Sequence, residues 1–155
     1  MKMKLIMLGL GLFLLLGFGT VTGAFMVQYN VLETNRLLAE NAVGVTAEYD
    51  GVKTSVDDKN SEYMVFMLSV KERATLLFPP KEPSDGVGVV AWLADGIKIH
   101  VVPNGVGDSV LFYFHNGKKS SCYSIDGFDI MRIMRLVVSP GGASVPNKVI
   151  AAAKS

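Results

Sequence analysis

Only three side chains in this sequence belong to the types that serve as a thiol nucleophile or an imidazole base: Cys122, His100 and His115. A thiol–imidazole pair works by proton transfer, so the ring must stand within hydrogen-bond reach of the sulfur. His115 and Cys122 flank Asn116-Gly117, a dipeptide that turns a hairpin in two residues because both positions accept positive φ. That register opposes His115 to Lys118 and Cys122 to Leu111. Four residues of strand, on the order of 13 Å, then separate ring from thiol. Cys122 therefore reads as a small apolar core residue. With no second cysteine, neither an internal disulfide nor a cysteine-based metal site can form.

The other chemical patterns are equally thin. His100 and His115 fall in different hairpins, and neither His-x-His nor HExxH spacing occurs. Asp57-Asp58 lacks the alternating carboxylates of a calcium loop and reads as a solvated turn. The glycines of GVGVV (86–90) and NGVGD (104–108) fit neither of the phosphate-binding glycine patterns. No spacing singles out a pair among the fourteen acidic residues for acid–base work. The expectation is a non-enzymatic chain with no catalytic residue, no cofactor and no metal ligand.

What must position any site is set by the solvent in which the chain lives. Leu5–Val27 contains no charged residue and follows Lys2 and Lys4. As a helix it would be about 34 Å long, against a hydrocarbon core of roughly 30 Å. Residues 1–27 are therefore expected to be a transmembrane signal-anchor helix in contact with the lipid bilayer. The lysines before it place the N-terminus in the cytoplasm and residues 28–155 outside, in a cell membrane crossed once. The alternative is a secretory signal cleaved after Ala24, releasing a soluble binding protein. Gly19 and Gly23 have the spacing that lets two membrane helices approach closely, which suits a homo-oligomer.

Beyond residue 27 the period stays helical through 28–41, a short stalk, and then becomes strand-like over 42–155, an exported β-rich domain. Residues 26–155 carry 13 basic and 14 acidic residues, a net charge of −1, without a basic run. That composition argues against nucleic acid. Asp50-Gly51, Asp95-Gly96 and Asn116-Gly117 each mark a hairpin. The first pairs Glu48 with Lys53. The second sets Trp92 against Ile99, so that Val90, Trp92, Ile97, Ile99 and Val101 share a core face while Lys98 and His100 take the other. Between the first two hairpins, residues 62–70 (EYMVFMLSV) read as a strand buried on both sides, and residues 79–88 (PPKEPSDGVG) as a rigid loop. Phe128–Val138 reads as an amphipathic helix capped by Asp126.

The expected fold class is mainly β (α+β): an N-terminal single transmembrane helix, then one small antiparallel sheet or barrel-like domain with one late helix. The run Val110–Phe114 is apolar on both strand faces, and one helix covers only one of them. Leu111 and Tyr113 on the other face, rimmed by His115 and Lys118, then form a surface for another protein. The functional expectation is an accessory or assembly subunit of a cell-envelope complex.

Overall fold

The computed structural model describes residues 2–70, 73–76, 78–105, 108–117 and 119–138; within that range, the side chains at 2–10, 12–16, 18, 70 and 128 lie outside the description. Two compact units divide between Glu33 and Thr34. Helix α1 (Lys2–Glu40) carries the whole apolar run on helical backbone. Among the described residues no helix is long and apolar enough to cross a membrane. The expected span over residues 5–27 falls mostly on side chains outside the description.

From Thr34 onward α1 belongs to the second unit, because Thr34 and Leu38 are buried there. The Thr34 and Tyr123 hydroxyls share a 2.9 Å hydrogen bond. The helix stops at Asn41, whose side-chain amide donates to the Leu37 carbonyl at 2.9 Å and so satisfies one of the orphan acceptors of a helix end.

The second unit is built on one antiparallel sheet of seven strands: β1 (Thr46–Tyr49), β2 (Val52–Ser55), β3 (Arg73–Thr75), β4 (Val89–Trp92), β5 (Lys98–Pro103), β6 (Ser109–His115) and β7 (Ser120–Asp126). Their order is β2-β1-β4-β5-β6-β7-β3, so the sheet is open, with β2 and β3 as its edges. Helices α2 (Asp58–Val70) and α3 (Phe128–Val138) complete it. The architecture is α+β.

The first hairpin is the one the sequence describes. Asp50 and Gly51 take φ values of 53° and 73°, the type I′ geometry that matches strand twist, and Glu48 faces Lys53. The other two hairpins differ in register. At Asp95-Gly96 the loop has three residues: the Leu93 amide donates to Ile97 O at 2.9 Å, and the Ile97 amide returns to Ala94 O at 3.2 Å. Trp92 then pairs with Lys98 and Val90 with His100. Because side chains alternate, this one-residue slip carries β4 to the opposite face, and the expected Val90–Trp92–Ile99 core face does not exist. At Asn116-Gly117 the loop has four residues, since the Asn116 side chain accepts the Lys119 amide at 2.9 Å. His115 faces Ser120 and Tyr113 faces Cys122. That shift of two residues preserves the faces but moves the partners.

The expected strand at 62–70 is helix α2. The Asp57 carboxylate accepts the Asn60 amide at 3.0 Å, and Asp57 O accepts the Ser61 amide at 2.9 Å, so the acidic turn is a helix cap. Tyr63, Met64, Met67 and Leu68 are buried at the i, i+1, i+4, i+5 spacing of a helix face. The run is apolar all round and gave no clear period to read. For α3 the expected helix is present, with Ile130, Met134 and Val137 buried; Gly127 rather than Asp126 accepts its first bond, from the Ile130 amide at 3.1 Å.

The pairings sort side chains onto two faces. One face holds Ala91, Ile99, Val101, Phe112, Phe114 and Tyr123, and the helices lie against it. Arg135 of α3 stacks 5.3 Å from the Tyr49 ring, and Thr34 of α1 reaches Tyr123. Arg73 on edge strand β3 belongs to this face too, its guanidinium 5.7 Å from the Phe112 ring and 5.1 Å from that of Tyr123. None of its buried nitrogens has a hydrogen-bond partner among the described residues, and burial pushes its pKa down.

Asp57→Ala should destabilise the second unit by about 1 kcal/mol, the usual worth of a cap, whereas Asp58→Ala should change little. Equal losses for the two in urea melts would contradict the cap.

Candidate functional site

The second face of the sheet carries Lys98, His100 and Val102 from β5, Leu111, Tyr113 and His115 from β6, and Ser120 and Cys122 from β7. Lys98 faces His115 across the strand pair, and His100 faces Tyr113. The two histidines therefore stand on adjacent strands and one face, not isolated in separate hairpins. Onto this face folds the loop of residues 78–88, which has no regular secondary structure.

Five hydrogen bonds at four of its residues fasten the loop. The Tyr113 hydroxyl donates to Pro80 O at 3.2 Å. Glu82 places Oε1 at 2.9 Å from His100 Nδ1 and Oε2 at 2.8 Å from His115 Nε2, so a single carboxylate bridges two rings. Lys98 Nζ donates to Asp85 Oδ1 at 2.7 Å and stands 3.7 Å from Glu82 Oε1. Finally, His100 Nε2 lies 2.5 Å from the Val87 carbonyl oxygen. Gly88 makes the return to β4 possible: it has φ of +82°, and a Cβ there would collide with the Val101 carbonyl oxygen and the Val102 side chain. Only glycine suits both demands.

The electrostatics follow from this geometry. Burial alone would raise the Glu82 carboxyl, but the His100 hydrogen bond, the His115 and Lys98 charges and the His115 hydrogen bond outweigh it and hold it below its ordinary value. The Lys98 hydrogen bond does the same for Asp85. His100 has no exposure at all. Glu82, Asp85 and His100 bring one ligand atom each to within 4.8 Å of one another, a spacing that can hold a metal ion.

Beneath the loop, Val102, Leu111, Tyr113 and Cys122 form a small apolar cluster with Leu76 packed against it. Of the residues expected to form a partner surface, Leu111 and Tyr113 are 6% and 5% exposed, Tyr113 held beneath Pro80 of the loop and Leu111 in the cluster against which Leu76 packs. His115 is half-buried on Glu82, its Nδ1 2.8 Å from Ser120 Oγ. Lys118 lies outside the described residues. Cys122 stands opposite Tyr113, and burial pushes its thiol up to about 11; at neutral pH it is a protonated core group without thiolate reactivity. Sequence reasoning missed Glu82 and Asp85 because no spacing ties a loop carboxylate to a strand two hairpin positions away. The available signal was the i, i+2 pair Lys98 and His100, polar residues on a strand otherwise apolar.

Glu82→Ala should cost about 1–3 kcal/mol, because it strands a buried imidazole nitrogen. A carboxyl whose native pKa lies below its ordinary 4.5 stabilises the fold fully above that value and loses the contribution as pH falls through the lowered native one. The stability gap between wild type and Glu82→Gln should thus be widest above pH 5 and narrow on acidification; a gap independent of pH would refute the bridge. In comparisons with known proteins, no family model, no curated protein and no solved structure matches this chain.

Proposed function

We propose that the protein is a non-enzymatic, single-pass membrane-anchored binding protein whose β-rich unit, exported across the membrane, recognises another protein as an accessory or assembly subunit of a cell-envelope complex. The observation that carries this reading is Phe78. It is 94% exposed at the foot of a loop pinned at Pro80, Glu82, Asp85 and Val87. A large apolar side chain held in water by a pre-ordered segment favours binding, since little conformational entropy remains to be lost when a partner covers it. Pro79 and Pro80 follow it directly and stiffen the backbone beside it.

The loop also changes where recognition falls. Tyr113 lies beneath Pro80 and Leu111 is buried in a cluster with Leu76 against it, so the surface offered to a partner is the outer side of the loop, including Val87, 47% exposed. The anchor in this proposal is the uncharged stretch 5–27, helical along its whole length, with Lys2 and Lys4 setting the cytoplasmic side.

A photo-crosslinking side chain placed at Phe78 in intact membranes should give one discrete adduct, lost when Glu82→Ala frees the loop. The same probe at Leu136, exposed on α3, should give none. Adducts at Leu136 and not at Phe78 would move the interface off the loop. Alkaline phosphatase fused after Ser155 should be active; a silent fusion paired with a bright cytoplasmic fluorescent one would reverse the topology.

A further inference from the structure

The hydrogen-bond pattern at His100 leaves room for one positive charge between Nδ1 and Glu82 Oε1. The Val87 carbonyl oxygen has only lone pairs, so the contact at Nε2 requires the ring hydrogen there. In a neutral imidazole, Nδ1 then presents a lone pair to Glu82 Oε1 at 2.9 Å, and two acceptors face each other inside a site closed to water on the ring side. Either a second ring proton or a bound cation has to lie at that junction, and the three ligand atoms gathered there offer the place for a cation. An Nε2–H donated to a backbone carbonyl is also how proteins hold a metal-binding imidazole in the right tautomer, with the free nitrogen aimed at the ion.

We propose that Glu82, Asp85 and His100 form a binding site for a divalent transition-metal ion of the Zn²⁺ type, with Lys98 as the internal cation that holds the place when the metal is absent. The donor set, one imidazole nitrogen and two carboxylates, suits Zn²⁺ and disfavours Mg²⁺, which prefers oxygen ligands and keeps its waters. The three ligand atoms lie within 4.8 Å of one another, so small side-chain adjustments bring all of them onto one ion. The charges balance: two carboxylates neutralise a divalent cation. Lys98 Nζ, 2.7 Å from Asp85 Oδ1 and 3.7 Å from Glu82 Oε1, occupies the outer side of the same carboxylates, and metal entry displaces it. His115 is a positioning residue, since its contact with Glu82 Oε2 turns Oε1 toward His100.

This inference is independent of the anchored-binding proposal and has its own test. Full-length protein in detergent is dialysed to equilibrium at pH 7.5 against Zn²⁺ alone, with Mg²⁺ as the control ion, and bound metal is counted. The expected result is one Zn²⁺ per chain with no competition from Mg²⁺. Asp85→Asn, on a side chain 49% exposed and compatible with the fold, should weaken binding by about tenfold or more, the least that loss of a supporting group costs at such sites. Lys98→Met should tighten it by about tenfold, because a like charge that pairs with the same two carboxylates is removed. A merely structural ion cluster would show no such opposite pair of effects. If Lys98→Met, with native circular dichroism, binds no Zn²⁺, the junction holds a proton only and the proposal fails. It fails equally if Zn²⁺ binds with the same strength to Asp85→Asn and to wild type.

Discussion

The Glu82 carboxylate between His100 and His115 is the contact on which the far side of the sheet depends. It joins a loop to two neighbouring strands, and it exists only because those strands sit in one register. A single-residue slip of β6 against β5 would send His115 to the helix face. The bridge is therefore both a fastening and a check on strand pairing. It also explains why a loop rich in proline and glycine lies down on the sheet. Ordering eleven residues costs backbone entropy, and five hydrogen bonds, three of them between side chains that carry or can carry charge, offset it together with the apolar surface of Tyr113 and Val102 against which the loop lies.

The sheet solves the problem of a strand that is apolar on both sides by using two kinds of cover. Helix α3 and the end of α1 lie on the face of Phe112, Phe114 and Tyr123, with α2 packed on α3, while the irregular loop lies over Tyr113. Irregular cover carries unpaired carbonyls, and here they are met from below: the Tyr113 hydroxyl takes Pro80 O and the His100 ring takes Val87 O. The buried polar groups of β5 and β6 serve the backbone above them.

What the sequence revealed depended on whether local chemistry alone decided the outcome. Asp50-Gly51 forms the expected turn because nothing else competes, and α3 is legible because its stripe has a clean helical period. Asp95-Gly96 has the same residue types but closes as a three-residue loop, with Leu93 and Ile97 buried at its ends; burial of that pair outweighs the two-residue turn. At Asn116 the side chain itself competes for the Lys119 amide and lengthens the loop. Residues 62–70 were opaque because a helix buried nearly all round has no polar face to mark its period; the cap at Asp57 was the better clue. The histidine pair was hidden for a simpler reason: two registers and a loop path had to be known together before Glu82 could be placed.

Arg73 bears on how this molecule behaves beside copies of itself. An open sheet ends in strands whose outer amides and carbonyls invite another strand, and stacking of that kind leads to aggregates. On β3 the guanidinium turns inward over Phe112 and Tyr123, and its nitrogens find no hydrogen-bond partner among the described residues. A strand added along that edge would trap the charge further from water without supplying an anion, so the edge resists extension. The opposite edge, β2, is short and presents exposed Lys53, its ammonium 4.1 Å from the Trp92 ring. Each end of the sheet thus carries a cation that discourages growth, and the domain can keep two open edges without polymerising through them.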